Sequence, residues 1–368
     1  MQAKRNEVLD LVRVIGIFCI MLCHSPFEGE SEHYGFRYVR GFLACGATPA
    51  FFLLSGYLGS RKLKDVTTSF GMLLKEKWRT LVVPFLFWST LVLCLVGVIK
   101  ATGWADSLSR HGSYFAVEGT PGSLVSAFFG IGRPPIAYQL WFVRDLFLVN
   151  LVAFVLVRRL PRIPFLPWYL LFIPLPFCRS LGFFLLGLQL ASVVPLEKFP
   201  GARQSFLSAA CWSLVGWAFV SRWMEIPQPL VQLGSAMFIL MTALILGRLP
   251  WARVLAAAGP GVFFVSATHE PLQTVLGRLW QKAGLTGYGT FFCFLAIPLL
   301  TYPICLAAYF LASRWWPGWT AMVTGGRQTN PVEMVSPPED IVRLPEPKAH
   351  TTVGKSFNDD ELLIECQN

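Results

Sequence analysis

RVIGIFCIMLCH, at residues 13–24, is the stretch that decides the fold. It opens with Arg13, closes with His24, and places ten mostly apolar residues between them. At about 100° and 1.5 Å per residue, the two polar side chains share one helix face and lie roughly 16 Å apart along it. A charged side chain at the centre of a bilayer costs at least about 2.5–3.5 kcal/mol. The stretch therefore predicts a membrane-spanning helix in which both polar residues have a function.

The composition extends this interpretation to the whole chain. Of the 368 residues, 54% are hydrophobic and 14% are charged, and apolar blocks long enough to cross a bilayer recur along the sequence. We predict an all-α, polytopic bundle of about ten transmembrane helices, at residues 8–26, 41–60, 80–99, 139–157, 164–177, 181–195, 204–221, 229–247, 258–277 and 289–312. The fifth block holds four prolines, which are compatible with a kinked or re-entrant segment as well as with a complete span.

Basic residues near the ends of these blocks indicate the orientation. Sixteen Lys and Arg residues fall in one set of alternate loops and nine in the other, and the richer set is expected in the cytoplasm. Both termini are therefore predicted to be cytoplasmic. Lys4 and Arg5 before an apolar run are also typical of a secretory signal, but Asp10 and Arg13 interrupt that run, and no cleavage site follows. We predict an uncleaved first helix.

Two domains and several exclusions follow from the remaining composition. Residues 1–319 form the predicted transmembrane domain, and the polar, proline-rich residues 320–368 form a predicted disordered cytoplasmic tail. The net charge of +10 does not indicate nucleic-acid binding, because the basic residues flank the spans. The nine cysteines are scattered without a C-x-x-C pair, and no His, Cys or acidic cluster has metal-ligand spacing, so no metal is expected.

Arg13 and His24 suit different chemical tasks. Histidine can take a proton from a hydroxyl near neutral pH, whereas arginine offers a forked set of donors to phosphate or carboxylate. The alternative is structural: Arg13 pairs with Asp10 three residues earlier, and His24 is an interfacial polar residue.

Two further stretches add polar residues to the spans. FFLLSGYL at 51–58 places Ser55 and Gly56 at the predicted inner end of the second span, where small residues allow helices to approach closely. The longest loop, about 100–138, holds the stretches GTPGS and GRPPIAYQ, a mixture of turn-forming residues with one tyrosine, Tyr138, predicted to be exposed. It suits a lid or substrate-contact segment as well as a plain connection.

QLWFVRDLF at 139–147 opens the fourth predicted span at the depth of His24. It contains Trp141, Arg144 and Asp145. Because Arg144 and Asp145 are adjacent, they project about 100° apart, which favours different partners over one local ion pair.

SATHEPL at 266–272 places His269 and Glu270 near the middle of the ninth predicted span. Two titratable groups at that depth are costly unless they line a polar cavity.

These stretches in this order resemble the acyltransferase-3 family of membrane acyltransferases. The resemblance rests on Arg13 and His24, on the SGYL and LWFVRDLF stretches, on FLLGLQL and on the late SATHEPL, and it covers residues 4 to 313. It implies a multi-pass protein of the bacterial cytoplasmic membrane, surrounded by lipids. Such a protein moves an acyl group, commonly acetyl, from cytoplasmic acyl-CoA to a hydroxyl of a cell-surface glycan or lipid-linked sugar. Acetyl-CoA would be a co-substrate, with no permanently bound cofactor.

The resemblance also implies residue roles. His24 would be the general base, and Arg13 would hold the anionic part of the donor; an acyl-histidine intermediate is equally compatible with the sequence. Asp145 or Glu270 would orient the imidazole. We assign substrate binding, besides Arg13, to Ser55, Trp141, Arg144 and His269. One departure is that Glu270 follows His269, where many relatives have a small or aromatic residue.

The main alternative function is a secondary transporter, in which the buried Arg, His, Asp and Glu residues form a proton relay or a substrate site. This reading explains the charges inside the spans, but it gives no reason for the spacing and order of the motifs. Acyl-CoA-dependent labelling of a membrane glycan would separate the two functions.

Overall fold

The computed structural model of this protein describes residues 7–25, 34–102, 120–132, 135–159, 178–193, 212, 216, 228–284 and 289–326. Within these residues the regular structure is entirely helical, with no strand. The α-helices are α1 Glu7–His24, α2 Tyr34–Lys64, α3 Phe70–Lys77, α4 Val83–Ala101, α5 Pro121–Phe129, α6 Trp141–Arg159, α7 Arg179–Val193, α8 Gln228–Leu246, α9 Ala252–Ala257, α10 Val262–Lys282, α11 Gly289–Trp315 and α12 Pro317–Val323. A π-helical turn, Trp78–Val82, joins α3 to α4 without a break.

The predicted spans agree with these helices. Eight of the ten apolar blocks coincide with α1, α2, α4, α6, α7, α8, α10 and α11. The block at 164–177, and nearly all of the block at 204–221, lie outside the described residues. Five helical stretches are long and apolar enough to cross a membrane: Gly41–Lys64, Phe70–Ala101, Tyr138–Arg159, Gln228–Leu246 and Phe292–Trp315. The prediction of an all-α membrane bundle is confirmed.

The first two helices run in opposite directions, and α8 runs with the second. Phe51 of α2 lies against Gly16 of α1, and Leu43 packs beside Leu22, near the end of α1. The hydroxyl of Ser235 on α8 donates a hydrogen bond to the Phe42 carbonyl of α2. We call the end of the bundle at which α1 terminates in His24 the histidine end.

The other long helices follow the same two directions. Helix α6 starts beside His24 and ends where Arg158 binds the α2–α3 connection, so it runs with α2. Helix α10 runs with α1, because Gly259 just before it contacts Asp10 and His269 within it lies beside His24. For α7 and α11, the contacts also indicate the direction of α2. The directions of these seven helices are those that ten alternating spans require: α1, α2, α6, α7, α8, α10 and α11.

Helices α2 and α7 touch through two glycines. A Cβ added to Gly56 would meet the backbone of Phe184, and one added to Gly187 would meet the backbone of Leu53. Only glycine leaves room for backbones at this distance, as expected where helices pack in a membrane. We call this pair the glycine contact.

The lipid-facing surface is visible as exposed apolar side chains on the outer helices. On α4 these include Leu91, Leu95 and Val98, and on α11 they include Leu299 and Leu300. Large apolar side chains on one side of a helix mark a surface that contacts lipid or protein. This arrangement agrees with an integral membrane protein.

The connection between α2 and α3 is a tight turn around Asp65. The Asp65 carboxylate accepts hydrogen bonds from the backbone N–H of Thr67, at 2.9 Å, and from its hydroxyl, at 2.8 Å. The backbone N–H bond is the main reason that the pKa of Asp65 lies below its ordinary value of 3.8. Arg158 donates to the carbonyls of Asp65 and Thr68, which ties this turn to the end of α6.

The chain remains ordered beyond its last long helix. The indole N–H of Trp88 on α4 donates to the Val323 carbonyl of α12 at 3.0 Å. Gly325 has a φ of 70° and lies against the backbone of Thr80, so a side chain at this position would be strained and would lack room. The predicted boundary after residue 319 therefore falls inside α12, and the described helical part continues to residue 326. The predicted disordered tail lies outside the described residues from 327 onward.

Candidate active site

His24 lies at the centre of a cluster formed by three helical segments. The Tyr138 hydroxyl is 2.8 Å from His24 Nδ1, and the two rings meet edge to face. The His269 ring lies close to it as well, with a centroid separation of 5.7 Å from the His24 ring. We call His24, Tyr138 and His269 the histidine cluster. The structure thus brings together two predicted site residues and the loop tyrosine, which is half-buried and not exposed as predicted.

A proline in α10 explains why Tyr138 lies at this position. Pro271 has no N–H, so the Ala267 carbonyl four residues earlier loses its usual helical donor. The Gln139 side chain donates to this carbonyl at 3.1 Å. Because a carbonyl inside a membrane must find a partner, this bond fixes the start of α6 against α10. Tyr138, the preceding residue, is thereby held beside His24.

A second amide joins α10 to α1. The Ser25 N–H bonds the Leu22 carbonyl, which leaves the Met21 carbonyl without a donor from its own helix. The Gln273 side chain supplies one at 3.1 Å. Two glutamines therefore use carbonyls that a helix end and a proline leave open, and together they hold the histidine cluster in place.

His269 has a defined arrangement of ring nitrogens. Its Nδ1 lies 3.1 Å from the Val265 carbonyl and 2.9 Å from the Ser266 carbonyl, so Nδ1 carries the proton and donates. Its Nε2 is then a lone-pair acceptor. The side chain is fully buried, and Nε2 has no hydrogen-bond partner among the described residues. A neutral imidazole whose Nε2 can still accept a hydrogen bond suits the predicted role of His269 in substrate binding.

Arg13 pairs with Asp10, as the structural alternative predicted. Its Nη1 lies 2.7 Å from Asp10 Oδ1, and the Asp10 side chain is buried against Gly259. The Arg13 side chain is nevertheless 37% exposed. Since a guanidinium has five N–H donors, the pair leaves donors for an anion, so both readings of Arg13 remain compatible with the geometry.

The adjacent Arg144 and Asp145 form one local ion pair, so the prediction of separate partners is wrong. Arg144 donates to Asp145 Oδ1 from Nε at 2.9 Å and from Nη2 at 2.7 Å. The angle of 100° separates the Cα–Cβ directions, but the long arginine stem can fold back to its neighbour. Arg144 Nη1 also donates to the Phe129 and Gly130 carbonyls, where α5 ends. Its main visible role is to anchor that helix end.

A cavity of about 530 Å³ lies between α2, α6, α7 and α8. Trp141, Arg144 and Asp145, all predicted as site residues, line it. Arg179 at the start of α7 and Gln232 of α8 line it too, and sequence analysis did not select either one. Trp141 of the lining follows Tyr138 by three residues, so this part of the cavity lies about one helical turn along the chain from the histidine cluster.

Two predicted site residues, Ser55 and Glu270, do not line the cavity. Ser55 is half-buried beside Gly56, and α2 continues nine residues beyond it, to Lys64, so Ser55 is not at the inner end of the helix as predicted. Glu270 is half-buried next to His269, and its Oε1 accepts a long bond, 3.5 Å, from the Thr274 hydroxyl. For Asp145, the visible partner is Arg144.

Tyr138 and Arg179 are the residues whose placement the sequence could not give. Tyr138 is 114 positions from His24, and no periodicity links residues that far apart. The signal that could have found it is local: Tyr138 directly precedes a buried Gln and the LWF stretch. Arg179 opens a short apolar helix, where a basic residue is ordinarily read as flanking a membrane span.

Fold and site together define an integral membrane protein built as a helical bundle, with a histidine and a tyrosine in contact inside it. The sequence profile described as an acyltransferase domain, of the acyltransferase-3 type, matches residues 6–313. The chain therefore belongs to the acyltransferase-3 family, and it is an acyltransferase. The succinoglycan biosynthesis protein ExoH of Rhizobium meliloti (strain 1021) is 25% identical over 368 residues, which cover 92% of this chain and 97% of that protein. No solved structure matches the chain.

Proposed function

We propose that this enzyme transfers an acyl group, acetyl in the first instance, from cytoplasmic acyl-CoA to a sugar hydroxyl of a cell-surface polysaccharide. The observation that carries the proposal is the contact between His24 and Tyr138 inside a membrane bundle. The similarity to a protein named for succinoglycan biosynthesis supports a polysaccharide acceptor. The bacterial cytoplasmic membrane, with both termini in the cytoplasm, is the location that fits this reaction.

His24 acts as the general base. In the tautomer with a proton on Nδ1, the imidazole donates to the Tyr138 oxygen, and Nε2 carries the lone pair. Nε2 takes the proton of the sugar hydroxyl as the oxygen attacks the thioester carbonyl, and a tetrahedral adduct forms. Collapse of this adduct breaks the carbon–sulfur bond, and the coenzyme A thiolate leaves with the proton from the imidazolium. Tyr138 stabilises the charged imidazole through the bond at Nδ1.

The donor approaches from the end of the bundle opposite His24. Arg13 lies at that end and keeps donors for an anionic group beyond its bond with Asp10. Helices α2 and α3 add basic residues on the same side: Arg61, Lys62, Lys64, Lys75 and Lys77. Glu76 pairs with Lys62 and Lys77, so Lys64 and Lys75 are the residues of this group that suit the phosphates.

The test compares wild type with His24→Ala, both purified in detergent, by thiol release from acetyl-CoA in the presence of a panel of glycans. Loss of a positioned base should lower turnover about 10²- to 10⁴-fold while acetyl-CoA binding is kept. Cys23→Ala is the matched control, because it changes the neighbouring residue on the same helix end. Turnover that survives in His24→Ala excludes His24 as the base. A wild type that neither releases thiol nor binds acetyl-CoA favours the transporter.

A further inference from the structure

The cavity between α2, α6, α7 and α8 has the chemistry of a glycan site. One wall carries an indole, Trp141, and the lining also contains a carboxylate, an amide and two guanidinium groups. Apolar side chains complete the cavity, including Phe52 and Phe183. Sugars present hydroxyls along their edges and apolar C–H groups on their faces, so a lining that combines polar groups with aromatic and apolar side chains matches them.

The lining keeps unused hydrogen-bonding capacity. Within the described chain, Arg179 Nε and Gln232 Oε1 are buried atoms without a hydrogen-bond partner. Arg144 contacts only Oδ1 of Asp145, which leaves Oδ2 able to accept from a hydroxyl. Buried polar atoms normally find partners, because leaving one unsatisfied costs about 1–3 kcal/mol. Arg179, Gln232 and Asp145 all line the cavity, so a ligand with both donors and acceptors can bond to their side chains.

The charge balance of the cavity selects an anionic ligand. Arg144 and Asp145 neutralise each other at 2.7 Å, whereas Arg179 has no acidic partner among the described residues. The lining therefore carries one uncompensated positive charge. A guanidinium held in a partly apolar cavity is best matched by a carboxylate or phosphate, which its forked donors bind in pairs.

We propose that this cavity binds the acceptor glycan through a sugar residue that carries an anionic group, and that Arg179 makes the charged contact. The proposal rests on the function proposed above and names the class of acceptor. Trp141 of the lining lies about one helical turn along the chain from Tyr138, so in this proposal the neighbouring sugar of a bound glycan presents its hydroxyl to the histidine cluster. The anionic group is either a carboxylate of the sugar or the diphosphate of a lipid-linked sugar.

Binding is measured by isothermal titration calorimetry on the full chain in a nonionic detergent. The probes are trigalacturonic acid, neutral galactotriose, farnesyl diphosphate and acetyl-CoA. Wild type should bind trigalacturonic acid or farnesyl diphosphate at least about tenfold more tightly than galactotriose, because a charged hydrogen bond contributes on that scale. Trigalacturonic acid as the preferred probe identifies a carboxylate sugar, and farnesyl diphosphate identifies the diphosphate.

The variants isolate Arg179. Arg179→Gln should remove the preference for the anionic probe, and Arg179→Lys should keep part of it, since the charge remains without the fork. Arg278→Gln is the matched control: it makes the same substitution on α10, at a residue that does not line the cavity. It should bind as wild type does. Size-exclusion profiles and melting temperatures confirm that each variant is folded.

Three results would overturn the proposal. One is equal affinity for trigalacturonic acid, farnesyl diphosphate and galactotriose, or no binding of either anionic probe. Another is unchanged binding in Arg179→Gln. The third is displacement of the anionic probe by acetyl-CoA, which would make the cavity a donor site. His24→Ala should bind the anionic probe within about twofold of wild type, so this measurement stays separate from the proposed catalytic role of His24.

Discussion

The histidine cluster and the glycine contact both lie between helices of the bundle, but they are packed in opposite ways. At the glycine contact, the backbones of α2 and α7 lie so close that Gly56 and Gly187 have no room for a Cβ. Near the histidine cluster, buried polar atoms have no partner within the part of the chain that the structure describes, including His269 Nε2 and Ser266 Oγ. The first arrangement stabilises the bundle, and the second leaves binding capacity for other molecules. Tight packing at the glycine contact helps to hold the histidine cluster in place.

The largest effect is expected from breaking the glycine contact. In Gly187→Leu, the new side chain would enter the backbone of Leu53 and Tyr57, which cannot move unless the helices separate. We expect a cost of at least about 3 kcal/mol and little folded protein after detergent extraction. Gly97→Leu is the control, because a Cβ on that α4 residue meets nothing within 4 Å. Recovery of Gly187→Leu with the melting temperature of wild type would contradict the close packing.

A change in the histidine cluster should affect catalysis and leave the fold intact. Tyr138→Phe removes the hydroxyl at His24 Nδ1, and we expect kcat to fall about 10- to 100-fold with an unchanged KM for the acceptor. Tyr302→Phe is the matched control, since its buried hydroxyl has no hydrogen-bond partner within the described residues. It should keep wild-type kcat. Equal kcat values in the two variants would remove Tyr138 from the mechanism.

Arg13 has both a structural partner, Asp10, and a proposed ligand, the acyl-CoA donor, so its substitution should have an intermediate effect. If it holds the donor, Arg13→Gln should raise the KM for acetyl-CoA about fivefold, as loss of a contact of about 1 kcal/mol requires. Arg253→Gln is the control, since that exposed arginine pairs with Glu7 at 3.6 Å near the start of α1. An unchanged KM together with a lower melting temperature would show that Arg13 serves only to neutralise Asp10.

The smallest effect is expected at Asp65, which belongs to neither region. Its pKa is lowered in the folded protein, chiefly by the Thr67 backbone N–H, so ionised Asp65 stabilises the fold at pH values above the ordinary 3.8. That contribution is lost as the pH falls below 3.8 and through the lowered pKa. Asp65→Asn should therefore melt slightly below wild type at pH 7, and the difference should shrink at acidic pH. A difference that does not change with pH would contradict the role of the charge.

Much of the fold could be predicted from the sequence, because a bilayer allows few structures. Apolar blocks gave the positions of eight described helices, and alternation of spans gave the directions of seven of them. A function for His24 could be proposed from the sequence too, since a histidine at the end of an apolar helix is costly without one. Its role as general base stays a prediction.

The partners of the site residues could not be predicted. Tyr138 reaches His24 only because Pro271 opens a carbonyl that Gln139 then occupies, which is a relation among three distant segments. The directions of the Cα–Cβ bonds favoured separate partners for Arg144 and Asp145. The flexible arginine stem, however, determines where the charge lies, and it allows the two residues to pair. The role proposed for Arg179 depends on a cavity formed by four helices, and no local sequence pattern indicates such a cavity.

The bond between Trp88 and Val323 has a practical consequence for anyone who shortens or tags the chain. The family match ends at residue 313, so a shortened protein would ordinarily be designed to end at that residue. Such a cut would strip α4 of the carbonyl that its indole donates to, and would uncover the backbone of Thr80 that Gly325 now shields. Fusion partners and affinity tags belong after residue 326, where the described helical part is complete.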